Sequence, residues 1–130
     1  MENAKKLTVL VLEDERQLAR AVREAFIAEG FEPIVVSNVE DGIKELKNLQ
    51  HVDVVWLDHY LLGSDNGLDF VVQLKNHEVW KGIPIFVVSN NATSTNIRSY
   101  MQLGISNYYT KSDYDISQII NDIKYAISSK

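Results

Sequence analysis

Four short segments carry residue types that could do chemistry together. Glu13-Asp14-Glu15 follows the apolar run Leu7 to Leu12, and Asp58 follows Asp53-Val54-Val55-Trp56-Leu57. Ser89-Asn90 follows Ile85 to Val88, and Lys111-Ser112 follows Asn107-Tyr108-Tyr109-Thr110. Brought to one place, these groups make a pocket with at least three carboxylates, one hydroxyl and one ammonium. Clustered carboxylates repel one another, and at least one pKa rises unless a cation is present. A hard divalent ion relieves that repulsion; Mg²⁺ suits a small open site with a few carboxylates and retained waters, with Mn²⁺ as a substitute. Lys111 can supply a point charge to a phosphoryl oxygen, and Ser89 can donate a hydrogen bond to another. Asp58 is then placed as a carboxylate nucleophile that forms an aspartyl phosphate.

Each group alone has a plainer reading. Asp14 could N-cap a helix and Glu15 could favour its dipole. A lone Asp after a strand is often a turn residue, and a Ser or Lys in a loop is usually solvated. Four such groups, each at the end of an expected strand, point away from accident.

The elements that must position them alternate in type. Leu7 to Leu12 reads as a buried strand. Leu18, Val22, Ala25, Phe26 and Glu29 follow at helical spacing, with Gly30 as the stop. Pro33 to Ser37 is a second strand, and Val39, Ile43 and Leu46 mark a second helix with Glu40 and Asp41 in its first turn. The third strand runs into Asp58, and a loop rich in Gly, Asp and Asn leads to Gly67. Leu68, Val71, Val72 and Lys75 mark a third helix, and Gly82 and Pro84 punctuate the chain before the fourth strand. Thr93 to Leu103 is the weakest helix, with a thin stripe of Ile97 and Met101, ended by Gly104. After the fifth strand, Ile116, Ile119, Ile120, Ile123 and Ile127 share one helical face. Strands alternating with helices imply an α/β fold: a parallel five-stranded sheet covered by five helices in a three-layer sandwich. The flavodoxin-like doubly wound order leads among the topologies that right-handed crossovers allow. Ligands bind beyond the carboxyl ends of such strands, where the four segments lie.

Composition sets the outer bounds. The chain has 130 residues, no Cys, and 13 Lys+Arg against 18 Asp+Glu, a net charge of −5. One domain over 1–130 is expected, with a core at about 7–127. The lack of Cys excludes a disulfide scaffold and a thiolate nucleophile within these residues. The acidic balance disfavours direct nucleic-acid binding. No apolar run approaches a membrane span, and Met1 to Lys6 lacks a signal-peptide core, so a cytoplasmic protein is expected. Asn91-Ala92-Thr93 matches a glycosylation acceptor, here read as chance. His59, beside Asp58, is read as loop packing, since strand alternation turns it away from its neighbour. His51 and His77 are read as surface residues, and Trp56 and Trp80 as packing groups.

The chain resembles the receiver domains of bacterial two-component response regulators, including the chemotaxis-regulator type. The resemblance lies in Val9-Leu10-Val11-Leu12-Glu13-Asp14-Glu15, Val55-Trp56-Leu57-Asp58, Val87-Val88-Ser89-Asn90 and Tyr108-Tyr109-Thr110-Lys111. It implies a signalling switch, not a classical enzyme, that takes a phosphoryl group from a histidine kinase or histidine phosphotransfer protein. It makes Asp58 the phosphoacceptor. Glu13, Asp14, Asp58 and the backbone carbonyl of Tyr60 become the Mg²⁺ ligands. Ser89 and Lys111 contact the phosphoryl group, and Tyr108 becomes the aromatic switch that turns inward with Ser89. Tyr60 and Asn90 fall where the family tunes phosphoryl lifetime, and bulky Tyr60 implies slow self-hydrolysis. The 93–127 surface becomes the docking face for a downstream protein or effector domain, with a phosphorylation-dependent homodimer as a further implication.

The departures from the family pattern are Ser112 where Pro is usual, Leu62 where many members have Pro, a loop to Gly67 about one residue longer than usual, and Glu13 for the commoner Asp. A cis non-Pro peptide costs about 2.5–4 kcal/mol, so the Lys111–Ser112 bond is expected to be trans. Two alternatives stand beside the switch. One is a docking module of receiver fold that has lost phosphorylation. The other is a Mg²⁺-dependent phosphatase of the haloacid-dehalogenase type, which carries a second Asp where this chain has Tyr60.

Overall fold

The computed structural model describes residues 6–90 and 93–128. Five strands form one parallel sheet: β1 (Leu7–Leu12), β2 (Phe31–Val36), β3 (Val54–Leu57), β4 (Ile85–Ser89) and β5 (Asn107–Thr110). Five helices connect or follow them: α1 (Arg16–Ala28), α2 (Val39–Asn48), α3 (Gly67–Lys75), α4 (Ser94–Gln102) and α5 (Ile116–Ser128). The sheet order is β2-β1-β3-β4-β5, the flavodoxin-like order expected from the sequence.

Strand alternation divides the interior into two cores. Leu10, Leu12, Val55, Leu57, Ile85 and Val87 face one way, with Leu46, Phe70, Leu74 and Tyr100 from α2, α3 and α4. Val9, Val11, Val54, Trp56, Phe86 and Val88 face the other, with Val22, Phe26, Ile119, Ile120 and Ile123 from α1 and α5. Burying the three central strands on both faces explains their continuous apolar runs. Trp56 packs edge-on against Phe26, with ring centroids 5.7 Å apart.

Two helices present faces other than those expected. On α3 the buried stripe is Gly67, Phe70, Val71 and Leu74, while Val72 is exposed. The spacing of three, one and three residues from Gly67 makes a better helical stripe than one begun at Leu68. On α4 the buried residue is Tyr100, and Met101 is largely exposed. The thin aliphatic stripe gives way to one aromatic, whose larger area dominates the helix's orientation. His77 is half-buried and not merely a surface residue, because its ring stacks on Trp80 at 3.7 Å.

The ends of the helices follow the local signals. Gly30 and Gly104 close α1 and α4 with φ of 88° and 87°, the region where only glycine is unstrained. Asn66 and Asp69 form a reciprocal capping box at the start of α3. Thr93 caps α4 by accepting from the Asn96 N–H at 3.3 Å. The rest of the Asn91-Ala92-Thr93 match lies outside the described residues. Among the described residues there is no cis peptide bond, so Lys111–Ser112 is trans as expected, and the chain turns there in a short 3₁₀ segment, Lys111–Asp113. Also among the described residues, no helix is long and apolar enough to cross a membrane.

Candidate functional site

Parallel register brings the four segments to one edge of the sheet. Leu12 pairs with both Val36 and Leu57, Leu57 pairs with Val87, and Ser89 pairs with Thr110. The residues that follow therefore emerge side by side. The Asp58 N–H donates to the Leu12 carbonyl at 3.0 Å, and the Glu13 N–H donates to the Val36 carbonyl at 3.0 Å. These bonds carry the ladder one residue past the strands and anchor both carboxylate-bearing residues.

The charges meet there. Lys111 Nζ lies 2.9 Å from Asp58 Oδ2 and 2.9 Å from Glu13 Oε1. Glu13 and Asp58 are buried, at 2% and 4% exposure, and Ser89 is fully buried. Asp14 is half-buried, and ligand atoms of Glu13, Asp14 and Asp58 all lie within 4.8 Å of one another. Glu13 Oε2 also accepts from the Glu15 N–H at 3.1 Å. The alternative of Asp14 as the cap of α1 does not hold. Residue 15 is the N-cap of α1, it makes no side-chain cap bond, and the first turn of α1 contains no acid.

Burial raises the Glu13 carboxyl above its ordinary value near 4.5; the Lys111 hydrogen bond pulls it back, and the Asp58 charge pushes it up again. Burial opposes the charge on Lys111, but its bonds to Glu13 and Asp58 outweigh that and raise its pKa. One ammonium thus faces three clustered acids. A set of three carboxylates with one pKa raised by desolvation is a donor set that fits a hard divalent cation.

The other residues singled out in the sequence surround this cluster. Tyr108 is half-buried on β5, and its hydroxyl is hydrogen-bonded to the Ser89 side chain. Tyr60 is more than half exposed, its ring edge-on to His59 at 4.9 Å, with its N–H 3.4 Å from Asp58 Oδ1. Asn90 is exposed, one residue beyond buried Ser89. Glu15 is exposed and is not one of the clustered acids.

Two residues at the site escaped the sequence reading. Tyr100, from α4, is fully buried, and its hydroxyl lies 2.7 Å from His59 Nδ1. Gly67 lies where a side chain would collide with the Tyr100 hydroxyl and would stand 2.8 Å from the Asp58 carbonyl oxygen. The spacing of Tyr100 three residues after Ile97 was the available signal for the first. The second depends on a close approach between segments distant in sequence and has no local signature.

A family model described as the response regulator receiver domain matches residues 9–124. The alginate biosynthesis transcriptional regulatory protein AlgB of Pseudomonas aeruginosa is 29% identical over 103 residues, which is 79% of this chain and 22% of that protein. The chain thus spans about a fifth of the length of that relative. The chemotaxis protein CheY1 of Helicobacter pylori is 22% identical over 81% of this chain and 85% of its own length. The CheY-like receiver domain protein of Methanospirillum hungatei JF-1 superposes with a TM-score of 0.85 at 17% identity, covering 96% of each chain, a likeness of fold.

Proposed function

This chain belongs to the response regulator receiver family, and on that premise we propose that it is a phosphoacceptor switch in which Asp58 receives a phosphoryl group. The observation that carries the reading is a buried carboxylate held 2.9 Å from a lysine ammonium, beside two further carboxylates, at the carboxyl edge of a parallel sheet. The donor is a phosphohistidine on a histidine kinase or phosphotransfer protein. An Asp58 carboxylate oxygen attacks phosphorus, a P–O bond forms, and the P–N bond breaks with its electron pair returning to the imidazole. Lys111 then balances charge on the transferred group, and the buried Ser89 hydroxyl donates to one of its oxygens.

Glu13, Asp14, Asp58 and the backbone carbonyl of Tyr60 would hold Mg²⁺. When bound, Mg²⁺ offsets the negative charge of the acids and of the incoming phosphoryl group. Because burial raises the Glu13 pKa, a proton competes for this ligand at higher pH than it would for an ordinary glutamate. Mg²⁺ affinity, followed by calorimetric titration, should fall as pH is lowered, and the fall should begin at higher pH than the ordinary carboxylate range explains.

Tyr60 supports a slow-hydrolysis reading. A large ring two residues past the acceptor restricts the approach of water to the acyl phosphate. Tyr60→Ala should shorten the lifetime of the phosphoprotein, measured by its decay after desalting. A parent half-life of only seconds, unchanged in the variant, contradicts this. The exposed Met101, Tyr114 and Tyr125 support the 93–127 surface as the docking face for a downstream protein or effector domain. A cytoplasmic location accompanies the kinase partnership in this reading.

The direct test is incubation with acetyl phosphate and Mg²⁺, followed by intact-mass measurement. A gain of one phosphoryl group, lost on chelation of the metal, supports the switch; no gain removes it. The phosphatase alternative finds no second acid at Tyr60, and the phosphorylation-independent docking module would require partner binding indifferent to loss of the Asp58 carboxylate.

A further inference from the structure

We propose that Tyr100 is a positioning residue for the switch: its hydroxyl, held by His59, ties α4 to the phosphoacceptor loop and keeps the Tyr108 ring turned toward Ser89. The inference rests on the reading of Asp58 as phosphoacceptor.

The contacts form a closed circuit. His59 is covalently next to Asp58 and buried, at 6% exposure. Its Nδ1 lies 2.7 Å from the Tyr100 hydroxyl, and the two rings meet edge-on at 5.7 Å. The Tyr100 ring in turn packs against Tyr108, with centroids 5.7 Å apart and planes tilted by 52°. Tyr108 is hydrogen-bonded to Ser89, which returns the path to the site. Every member beyond Asp58 is a side chain with a fixed partner, and α4 enters the circuit through Tyr100.

The packing shows why one hydroxyl can carry this weight. Gly67 has no Cβ, and the space a Cβ would occupy is shared by the Tyr100 hydroxyl and the Asp58 carbonyl oxygen. The missing Cβ thus lets α3 approach both the Tyr100 hydroxyl and the backbone of residues 58 and 59 closely. The Gly67 N–H donates to the His59 carbonyl at 3.0 Å and holds that backbone in place. A displacement of the Asp58 loop on phosphorylation cannot leave the Tyr100 hydroxyl undisturbed, since His59, the next residue of that loop, is bonded to it. α4 has few other buried anchors, because Tyr100 is its one buried residue. A helix held at one point responds to movement of that point.

The experiment uses the full chain, with beryllofluoride and Mg²⁺ as a stable phosphoryl mimic. It compares the parent, Tyr100→Phe, and the double variant His59→Phe with Tyr100→Phe. Affinity for the mimic, hydrogen exchange across α4 and thermal midpoint are recorded for each. Tyr100→Phe should weaken mimic binding roughly fivefold, the share of one net hydrogen bond. It should also abolish the change in α4 exchange that the mimic causes in the parent. The double variant replaces a bonded polar pair by apolar rings, so it should regain thermal stability while coupling stays lost. If the double variant regains coupling together with stability, the pair is only a packing contact and the inference falls. It falls also if both variants match the parent in affinity and in α4 response. If the parent itself takes up no beryllofluoride, the phosphoacceptor reading fails first and the inference with it, an outcome separate from the other two.

Discussion

Replacing Asp58 by Asn should abolish the phosphoryl mass gain from acetyl phosphate without unfolding the protein. The amide is nearly isosteric and keeps one oxygen that can accept from Lys111, which now lies 2.9 Å from Asp58 Oδ2. What it loses is the anionic oxygen that attacks phosphorus in the proposed switch. Intact mass after incubation with Mg²⁺ and acetyl phosphate should therefore equal that of the untreated variant. A variant that still gains the mass places the acceptor elsewhere and sinks the reading.

The same substitution has a stability consequence with a definite sign. The Glu13 carboxyl has a raised pKa in the folded chain, and the Asp58 charge is among its causes. A raised pKa means that the stability from this group is complete below about 4.5 and is lost as pH rises through the folded value. Removing the Asp58 charge lowers the Glu13 pKa and so shrinks that loss. In metal-free buffer the thermal midpoint of Asp58→Asn relative to the parent should thus be highest near neutral pH. The difference should narrow as pH falls below the Glu13 range. A midpoint well below that of the parent at neutral pH would mean that the Lys111–Asp58 pair outweighs the repulsion.

Gly67→Ala should be the most damaging single-methyl change in the site. The added Cβ meets the Tyr100 hydroxyl and stands 2.8 Å from the Asp58 carbonyl oxygen and 3.1 Å from His59 Cα. Two of these three neighbours are backbone, which cannot rotate away. Either α3 or the acceptor loop must shift, and overpacking of this kind costs about 1–3 kcal/mol. At roughly 4 °C per kcal/mol, the thermal midpoint should fall by as much as about 12 °C. Phosphorylation by acetyl phosphate should slow by at least about tenfold, because displacement near 1 Å at a reacting group can cost about 100-fold. A parent-like midpoint and rate would show that the loop yields without cost.

Much of this was legible in the residues for a simple reason. A strand buried on both faces is nearly all apolar, so Leu7–Leu12, Val54–Leu57 and the run Ile85 to Val88 announce themselves, and the polar residue that closes or follows each marks its end. Glu13, Asp58 and Lys111 each stand directly after a strand, and Ser89 is the last residue of its own. Because parallel strands of one sheet end at the same edge, placing them on strands was enough to place them near one another. Periodicity was a weaker guide on α3 and α4. There the buried stripes include a glycine and a tyrosine, residue types that a hydrophobicity pattern discounts.

The sequence by itself determined the alternation of strands and helices, the residue types at the sheet edge and the trans Lys111–Ser112 bond, because these rest on local sterics and on the period of burial. Only the tertiary structure decided that Lys111 bridges Glu13 and Asp58, that Tyr108 reaches Ser89, and that the Tyr100 hydroxyl enters the space left by Gly67 to meet His59. Those contacts join residues up to 98 positions apart, as Glu13 and Lys111 are. Their geometry follows from how helices settle on the sheet, which depends on the volumes of all the side chains between them.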